Sequence, residues 1–344
     1  MQPIEQWLLV LADPEPHPQV ELPRARLAAD DVMRLCLLAE QHGVLPSVWT
    51  RLEKILKENP ACLLGREVNQ EKILAGLEPV RRRLAERAAM AMFLGAETKA
   101  VLRRLSDAGT PVIVLKGMDF ATRLYAPPSL RPFVDIDLLV RGRDRERVSA
   151  AMTAAGYVPR ETELKYATGY AEWTWEHPAM PGAMVELHDN LVNSPTLRRG
   201  VSVRLEDLPL GPGADGVFRP TPAGLLIIAA VHAAASHSFD KLQHLCDIAQ
   251  IVRQRAGGID ETELRNCATK TGAEFCLAAG LDLTARTLGD SASAELLGRL
   301  ALRWPRWRAR RLVTPAVVVR SQGLRRAGVS WRRQLLRQML KSRR

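Results

Sequence analysis

The sequence lacks the features that mark membrane-spanning and secreted proteins. Aromatic residues are scarce, at 5% of 344 residues. No apolar run reaches the roughly 18 residues that a membrane-spanning helix needs. The run from Gly224 to Ala235 is apolar but too short, and it contains His232. The N-terminal stretch lacks the basic start of a secretory signal. We therefore expect no integral membrane segment and a cytoplasmic location.

Cysteine is also sparse and scattered. The sequence contains five cysteines: Cys36, Cys62, Cys246, Cys267 and Cys276. None forms a Cys-x-x-Cys pair, so neither a zinc site nor a disulfide framework is indicated. An odd number of separated thiols is typical of a reducing compartment.

Acidic residues are missing from the C-terminal end of the chain. The segment from Gly298 to Arg344 has 15 Lys and Arg residues and no Asp or Glu, whereas the other 297 residues have 34 basic and 38 acidic side chains. The net charge of +11 therefore comes from the tail. A basic protein of this kind need not bind nucleic acid through its main body.

Hydrophobic patterning predicts a few strands between two helical blocks. Residues 112–115 and Ile136–Val140 are short apolar runs rich in β-branched residues, which indicates buried strands. Alternating residues around Trp173 and Val185, joined by a turn at Pro181-Gly182, predict a β-hairpin. Ala-rich and Arg-rich segments on both sides favour helix. We predict an α+β protein whose small mixed β-sheet is flanked by N- and C-terminal helical blocks.

This pattern divides the chain into four regions. We predict an N-terminal helical region at 1–108, an α+β core at 109–215, a C-terminal helical domain at 216–303 and a basic, Arg-rich tail at 304–344. Two finer features are also predicted. A break near Glu78-Pro79 interrupts the last N-terminal helix, and the chain becomes irregular from Tyr157.

Carboxylates on the predicted strands form a candidate metal site. Asp135 and Asp137 lie one residue apart, so their side chains point to the same face of a strand. Glu186, on a later strand, is the best third carboxylate. Mg²⁺ prefers oxygen ligands and usually keeps substrate phosphates among them, and Mn²⁺ accepts the same ligands. We predict Asp135, Asp137 and Glu186 as catalytic and metal-binding residues acting on a nucleoside triphosphate.

Basic residues beside these strands are candidate phosphate ligands. Lys116, Arg123 and Arg131 are close in sequence, and Gly117 lets the backbone approach a phosphate at a helix start. His188 lies on the same strand face as the third carboxylate. We predict these five residues as nucleotide-binding, with ATP as the expected nucleotide.

These motifs resemble the uncharacterised nucleotidyltransferase family of the DNA polymerase β-like superfamily. The resemblance rests on Leu115-Lys116-Gly117, Arg131, the Asp-Ile-Asp run at 135–137, Glu-Leu-His at 186–188, and His232, His237, Asp247 and Ile248. It covers roughly residues 25–290. It implies a nucleotidyltransferase core and metal-dependent transfer of a nucleoside monophosphate from a triphosphate to an acceptor.

Three functions remain open at this stage. Members of the family tend to accompany biosynthetic gene clusters, so the first expectation is a small-molecule or peptide acceptor in a natural-product pathway. The Lys-Gly turn also resembles toxin-like nucleotidyltransferases that modify tRNA or protein. The third is a non-catalytic, nucleotide-binding regulatory module. Met118 favours it, because the commoner superfamily pattern has serine after the glycine.

Several other residues admit a functional and a structural interpretation. Trp173 and Trp175 have the chemistry to stack on a base, but core packing is the preferred prediction. His232 and His237 are five residues apart, which is the wrong spacing for a zinc pair on an α-helix, so we expect them to be buried or to line an acceptor pocket. Asp247 lies on an apolar helix and is expected to anchor the helical block.

The basic tail ends in a predicted amphipathic helix over residues 329–344. Its apolar residues recur at helical spacing opposite arginines. Such a helix suits an anionic membrane, RNA or an acidic partner. It equally suits packing against the protein's own slightly acidic body, with the basic face in water.

Overall fold

The computed structural model describes residues 1–16, 20–64, 70–160, 169–212, 218–253, 257–302, 304–324 and 331–341. Within these ranges the N-terminal region is helical, as predicted. Its helices are α1 (Pro3–Ala12), α2 (Ala29–Gln41), α3 (Leu45–Glu58), α4 (Pro60–Leu63), α5 (Gln70–Gly76) and α6 (Glu78–Asp107). The predicted break is confirmed, because α5 ends at Gly76 and α6 starts with Pro79 in its first turn, where a missing N–H is tolerated.

A five-stranded mixed sheet follows, with the strand order β1-β2-β5-β4-β3. Its strands are β1 (Val112–Val114), β2 (Ile136–Val140), β3 (Val158–Arg160), β4 (Glu172–Glu176) and β5 (Met184–His188). Helix α7 (Met118–Leu124) lies between β1 and β2, and α8 (Arg145–Ala154) between β2 and β3. Strands β2 and β5 are parallel and the other pairs antiparallel, so the predicted mixed sheet and the β4–β5 hairpin are confirmed.

The two faces of the sheet have different chemistry because side chains alternate along each strand. One face is apolar and forms a hydrophobic cluster with α6 and α8. Its residues include Ile136, Leu138, Val140, Trp173, Trp175, Val185 and Leu187. Both tryptophans are therefore core residues, as the preferred prediction had it. The opposite face carries Asp137, Glu186 and His188, which the apolar face cannot accommodate.

Two parts of the strand structure differ from the predictions. Irregular structure is predicted from Tyr157, but Val158–Arg160 forms β3 at the edge of the sheet, and the next residues, 161–168, lie outside the described part. An edge strand tolerates Pro159, whose missing N–H would interrupt a central ladder. The sequence also gave no signal for a separate antiparallel pair, β6 (Leu210–Pro212) and β7 (Phe218–Pro220). These strands are short and end in proline, so they lack the length of a recognisable apolar pattern.

The C-terminal region is helical, as predicted. It contains α9 (Pro222–Val231), α10 (Leu242–Val252), α11 (Glu261–Thr271), α12 (Glu274–Leu288) and α13 (Ser291–Leu300). A π-helical segment, His232–Ser236, continues α9. One hydrophobic cluster joins these helices to the N-terminal ones, including Trp7, Leu52, Leu226 and Leu277. The four-region division therefore stays a prediction, and its boundary at 215 lies outside the described residues.

The basic tail packs on the rest of the protein. It forms α14 (Arg306–Leu312), α15 (Pro315–Leu324) and α16 (Trp331–Lys341). Of the helix predicted over 329–344, residues 329–330 and 342–344 lie outside the described part. Leu336 and Leu340 of α16 are buried. Arg310 pairs with Asp282, and Arg320 pairs with Glu5. Part of the tail's charge is thus neutralised by the body.

None of the helices in the described ranges combines the length and the apolarity that crossing a bilayer requires.

Two glycines that end helices give a matched test of how closely the loop at Gly200 packs against the end of α11. Gly272 ends α11 with φ +72°, and Gly289 ends α12 with φ +69°. A Cβ on Gly272 would lie 2.1 Å from the carbonyl oxygen of Gly200, whereas a Cβ on Gly289 would meet nothing within 4 Å. We expect Gly289→Ala to lose about 1 kcal/mol of unfolding free energy. Gly272→Ala should lose a further ~1–3 kcal/mol, because it adds overpacking.

Urea unfolding monitored by circular dichroism measures both variants. Equal losses in the two variants would contradict the close approach of the Gly200 loop to α11.

Candidate active site

Three strands place the polar side chains of the site next to one another. In the parallel pair β2–β5, Asp137 is in register with Glu186. In the antiparallel pair β4–β5, Glu172 is opposite His188. The ligand atoms of Asp137, Glu186 and His188 all lie within 4.8 Å of one another. The structure therefore brings two of the three predicted metal-binding carboxylates together, with His188 beside them.

Lys116 supplies the nearest positive charge. The N–H of Leu115 donates to the Asp137 carbonyl at 3.0 Å, which fixes the end of β1 beside β2. Lys116 Nζ then donates to Asp137 Oδ2, and only 1% of the Asp137 side chain is exposed. Burial alone would lower the pKa of Lys116, but the facing carboxylates raise it above its usual value. The lysine is therefore a fixed cation.

The acidic groups respond unequally to this environment. Burial, together with the negative charge of Asp137, raises the pKa of Glu186 to about 8. The same causes raise the pKa of Asp135 to about 6. Burial would also raise the pKa of Asp137, but Lys116 and His188 hold it below its usual value. At neutral pH the metal-free site thus keeps Asp137 ionised and Glu186 mostly protonated.

A hydrogen-bond chain orients His188. Its Nδ1 lies 3.2 Å from the amide oxygen of Asn193, which can only accept, and the Asn193 amide group donates to Glu172. His188 Nε2 therefore faces Asp137 Oδ1, at 3.4 Å. The two atoms form an ion pair when His188 is protonated, but within the described residues neither makes a hydrogen bond of good geometry.

These unsatisfied atoms test whether the site fits a divalent ion. Buried polar atoms without partners are costly and rare, unless an ion or a water occupies the site. Carboxylate oxygens of Asp137 and Glu186 are ligands that Mg²⁺ and Mn²⁺ accept. Asp135 precedes β2 and lies outside the group spaced within 4.8 Å, but it lines the same cavity. The donor set therefore fits a divalent ion.

A tight turn presents the backbone after Lys116. Gly117 has φ +51° and ψ −118°, a conformation that residues with a Cβ rarely adopt. Arg131 Nη1 donates to the Gly117 carbonyl at 3.4 Å. Arg131 is itself held by a bidentate ion pair with Asp247, and Tyr125 donates to the same carboxylate. Asp247 thus anchors the helical block to the Gly117 turn, as expected.

Arg123 is the predicted site residue that the structure places elsewhere. Its Nη1 donates to the carbonyl of Pro220 at 2.9 Å and lies 3.3 Å from Asp119. It lines neither of the cavities described below. Its partners belong to α7 and β7, so it connects those elements. The closeness of Arg123 to Gly117 in sequence did not reveal this position, because the helical backbone of α7 directs the Arg123 side chain away from Gly117.

Two cavities meet at the site. The first, of about 350 Å³, is lined by several cations, and we call it the basic cavity. Its cations are Arg87, Lys116, Arg131 and Lys241. The second, of about 250 Å³, is lined by Asp135, Asp137, Glu172, Glu186 and His188, and we call it the acidic cavity. Lys116, Asp135, His232 and His237 line both, so they form the shared wall.

The histidines of the helical block meet at this wall. His232 and His237 line both cavities, and their lining of an acceptor pocket stays a prediction. The sequence reasoning missed His244, whose ring centroid lies 5.0 Å from that of His232 and 4.5 Å from that of His237. The sequence feature that could have identified His244 is its position as a polar residue in the first turn of an apolar helix.

Comparison with known proteins bears on this geometry. A model of a family described as uncharacterised nucleotidyltransferase matches residues 28–289. The chain is similar to the antibiotic-resistance factor ANT(2″)-Ia, whose structure was determined in solution. The similarity has 16% identity and a TM-score of 0.32, and it covers 62% of this chain and 95% of that one. A TM-score this low supports no conclusion. No curated protein matches the chain.

The raised pKa of Glu186 predicts how stability depends on pH. Its pKa rises from 4.5 to about 8 on folding, so the folded state binds the proton more tightly, and stability falls as pH rises through this window. Glu186→Gln removes the unfavourable ionisation. We expect it to stabilise the metal-free protein at about pH 9 and to have little effect at about pH 5.

Urea unfolding in the presence of a chelator measures this difference. Glu176→Gln, at the exposed end of the neighbouring strand β4, is the matched control and should show no such pH dependence. If Glu186→Gln destabilises the protein at about pH 9, the carboxylate is not in the repulsive environment described.

Proposed function

Because the chain belongs to the uncharacterised nucleotidyltransferase family, we propose that it transfers a nucleoside monophosphate from a nucleoside triphosphate to an acceptor hydroxyl. Family membership supports nucleotidyl transfer in general. The observation that supports the mechanism is the in-register pair of Asp137 and Glu186 beside the Lys116–Gly117 turn. We propose ATP as the nucleotide.

In this proposal Asp137 and Glu186 would hold a divalent ion, Mg²⁺ or Mn²⁺, and Asp135 would complete the set from the cavity wall. The ion, when bound, would offset the negative charge of the phosphates and of the leaving group. Asp137 Oδ1 supports this assignment, because within the described residues it makes no hydrogen bond of good geometry. His188, fixed through Asn193, keeps the Asp137 carboxylate oriented.

The triphosphate occupies the basic cavity. Its lining supplies Lys116, Lys241 and Arg87 for phosphate oxygens, and Arg87 would exchange its ion pair with Glu40, in the same lining, for a phosphate. The Gly117 turn allows a close backbone approach. In the free protein Lys116 is bound to Asp137. We propose that its ammonium group shifts to the phosphate oxygens when the triphosphate binds. Arg131 acts indirectly, by holding the Gly117 carbonyl and so the shape of the turn.

The acceptor hydroxyl enters from the acidic cavity. Asp135 lines both cavities, so its carboxylate is placed between the triphosphate and the acceptor and can take a proton from the acceptor. It takes the hydroxyl proton while the oxygen bonds to the α-phosphorus. The bond from the α-phosphorus to the bridging oxygen of the β-phosphate breaks, and pyrophosphate leaves. The products are the nucleotidylated acceptor and pyrophosphate.

The acceptor is proposed to be a small molecule or a peptide side chain. The acidic cavity has a volume of about 250 Å³, which suits a peptide side chain or the reacting part of a small molecule. A tRNA acceptor would favour a free basic surface. Two of the tail arginines, Arg310 and Arg320, are paired with Asp282 and Glu5, whereas Arg308 and Arg311 lie over the exposed ring of Trp307. The size of the acidic cavity, rather than the tail, therefore favours the first of the three functions left open by the sequence.

Asp137→Asn tests the proposal. This variant keeps the side-chain volume but removes the negative charge that attracts both the divalent ion and Lys116. We expect nucleotidyl transfer to fall by at least about 100-fold, because an electrostatic ligand is lost at the reacting centre. The measurement is mass spectrometry of a mixture of hydroxylated metabolites and peptides incubated with all four nucleoside triphosphates and Mg²⁺ or Mn²⁺.

A nucleoside-monophosphate adduct, formed together with equimolar pyrophosphate, is the expected product. Glu176→Gln serves as the control and should retain transfer. Isothermal titration with each triphosphate provides a readout that does not depend on the acceptor. Absence of triphosphate binding by the wild type with either ion would contradict the proposed function.

A further inference from the structure

Three histidines outside the carboxylate group form a compact cluster. His232, His237 and His244 each offer one ring nitrogen, and these nitrogens all lie within 4.8 Å of one another. The ring centroids are 4.5–5.0 Å apart. We call these residues the histidine cluster. Nitrogens that share a zinc ion lie about 2.0–2.1 Å from it, so small side-chain rotations would bring the three to ligand spacing.

The backbone explains how residues five apart reach one face of a helix. In an α-helix, positions 232 and 237 point in different directions, because one turn takes 3.6 residues. The π-helical segment His232–Ser236 widens the turn, so a residue and the fifth one after it lie nearly above one another. The ring centroids of His232 and His237 are 4.6 Å apart as a result.

The chain then reverses through a strained turn. Ser238 and Phe239 have φ of +53° and +58°, which is uncommon for residues with a Cβ. Phe239 is fully buried, and its N–H donates to the Ala233 carbonyl at 2.7 Å. This turn leads directly into α10, whose first turn carries His244. Two unusual backbone features are therefore needed to bring the three rings together, and such strain often accompanies a functional site.

The chemical state of the rings suits metal binding. Burial lowers the pKa of His232, His237 and His244 below the usual value for histidine, so they are neutral at physiological pH. The neutral imidazole is the form that binds transition metals. The neighbouring cations are Lys116, Arg131 and Lys241, and the first two are held in ion pairs with Asp137 and Asp247.

The hydrogen bonding around the histidine cluster also leaves a ring nitrogen available to a metal ion. His244 is 5% exposed, and its Nδ1 is buried without a hydrogen-bond partner among the described residues. The Nδ1 of His237 lies 3.5 Å from the carboxylate of Asp240. A carboxylate next to one ring nitrogen is the usual outer partner of a histidine that binds a metal through the other. His232 and His237 line both cavities, so a bound ion would face substrate.

We propose that the histidine cluster binds a divalent transition-metal ion of the zinc type through three imidazole nitrogens. Three protein ligands leave a position for water or for an oxygen of a bound molecule, which is the pattern of an open zinc site. This site is distinct from the carboxylate group at Asp137 and Glu186. Three nitrogen ligands favour zinc-type ions more than the other group does, because that group offers two carboxylates and the one nitrogen of His188.

Zinc titration of the full-length, tag-free protein tests the proposal. The protein is first dialysed against a chelator, and Zn²⁺ is then added against a chromophoric competitor. We expect about one tightly bound equivalent, and a loss of affinity of about 100-fold or more in His244→Gln. Asp137→Asn combined with Glu186→Gln removes the carboxylate group and should leave zinc binding unchanged. His244→Cys, which restores a ligand, should recover most of the affinity.

A second measurement uses the wild type alone and so does not depend on the folding of any variant. Co²⁺ in place of Zn²⁺ should give the visible absorption of a nitrogen- and oxygen-ligated ion, without the charge-transfer band of a thiolate. Wild-type protein that binds neither ion tightly would overturn the proposal. So would zinc affinity that is lost with the carboxylate group but unaffected by His244→Gln.

Discussion

The parallel pairing of β2 with β5 is the constraint on which the site depends. It places Asp137 and Glu186 side by side on a largely buried face of the sheet, where two negative charges repel each other strongly. The protein offsets this repulsion with Lys116 and His188, and by leaving Glu186 protonated near neutral pH. Such an arrangement is unfavourable for stability alone. It suits the proposed function, in which the site receives a divalent ion together with a highly charged substrate.

The rest of the fold holds this pair in position. The apolar face of the sheet packs on α6 and α8, which fixes the strands from behind. In front of the sheet, the C-terminal region supplies His232 and His237, two of the four residues in the shared wall between the basic and acidic cavities. The buried Arg131–Asp247 ion pair connects those helices to the Gly117 turn. Removing one partner of such a pair is expected to be strongly destabilising, by about 3–5 kcal/mol, because the other charge is left buried alone.

The sequence predicted the parts of the structure that follow from local patterning. Alternation along the strands identified Glu186 and His188 as neighbours on one face, and it identified Trp173 and Trp175 as core residues. Other parts depend on interactions that a linear pattern does not contain. Pro159 gave no strand signal, because an edge position is a property of the sheet. Arg123 is held by the carbonyl of Pro220, distant in sequence. The histidine cluster depends on a π-helical turn, so an α-helical spacing rule separated His232 from His237 and overlooked His244.

The most direct test of this account is the position of manganese in crystals grown with Mn²⁺ and a non-hydrolysable nucleoside triphosphate. Manganese scatters anomalously, so it is located independently of the protein coordinates. The account predicts an anomalous peak for a manganese ion coordinated by Asp137 and Glu186, with the phosphates next to Lys116 and Gly117. A triphosphate bound elsewhere on the protein, or bound beside these residues with no manganese on the two carboxylates, would contradict it.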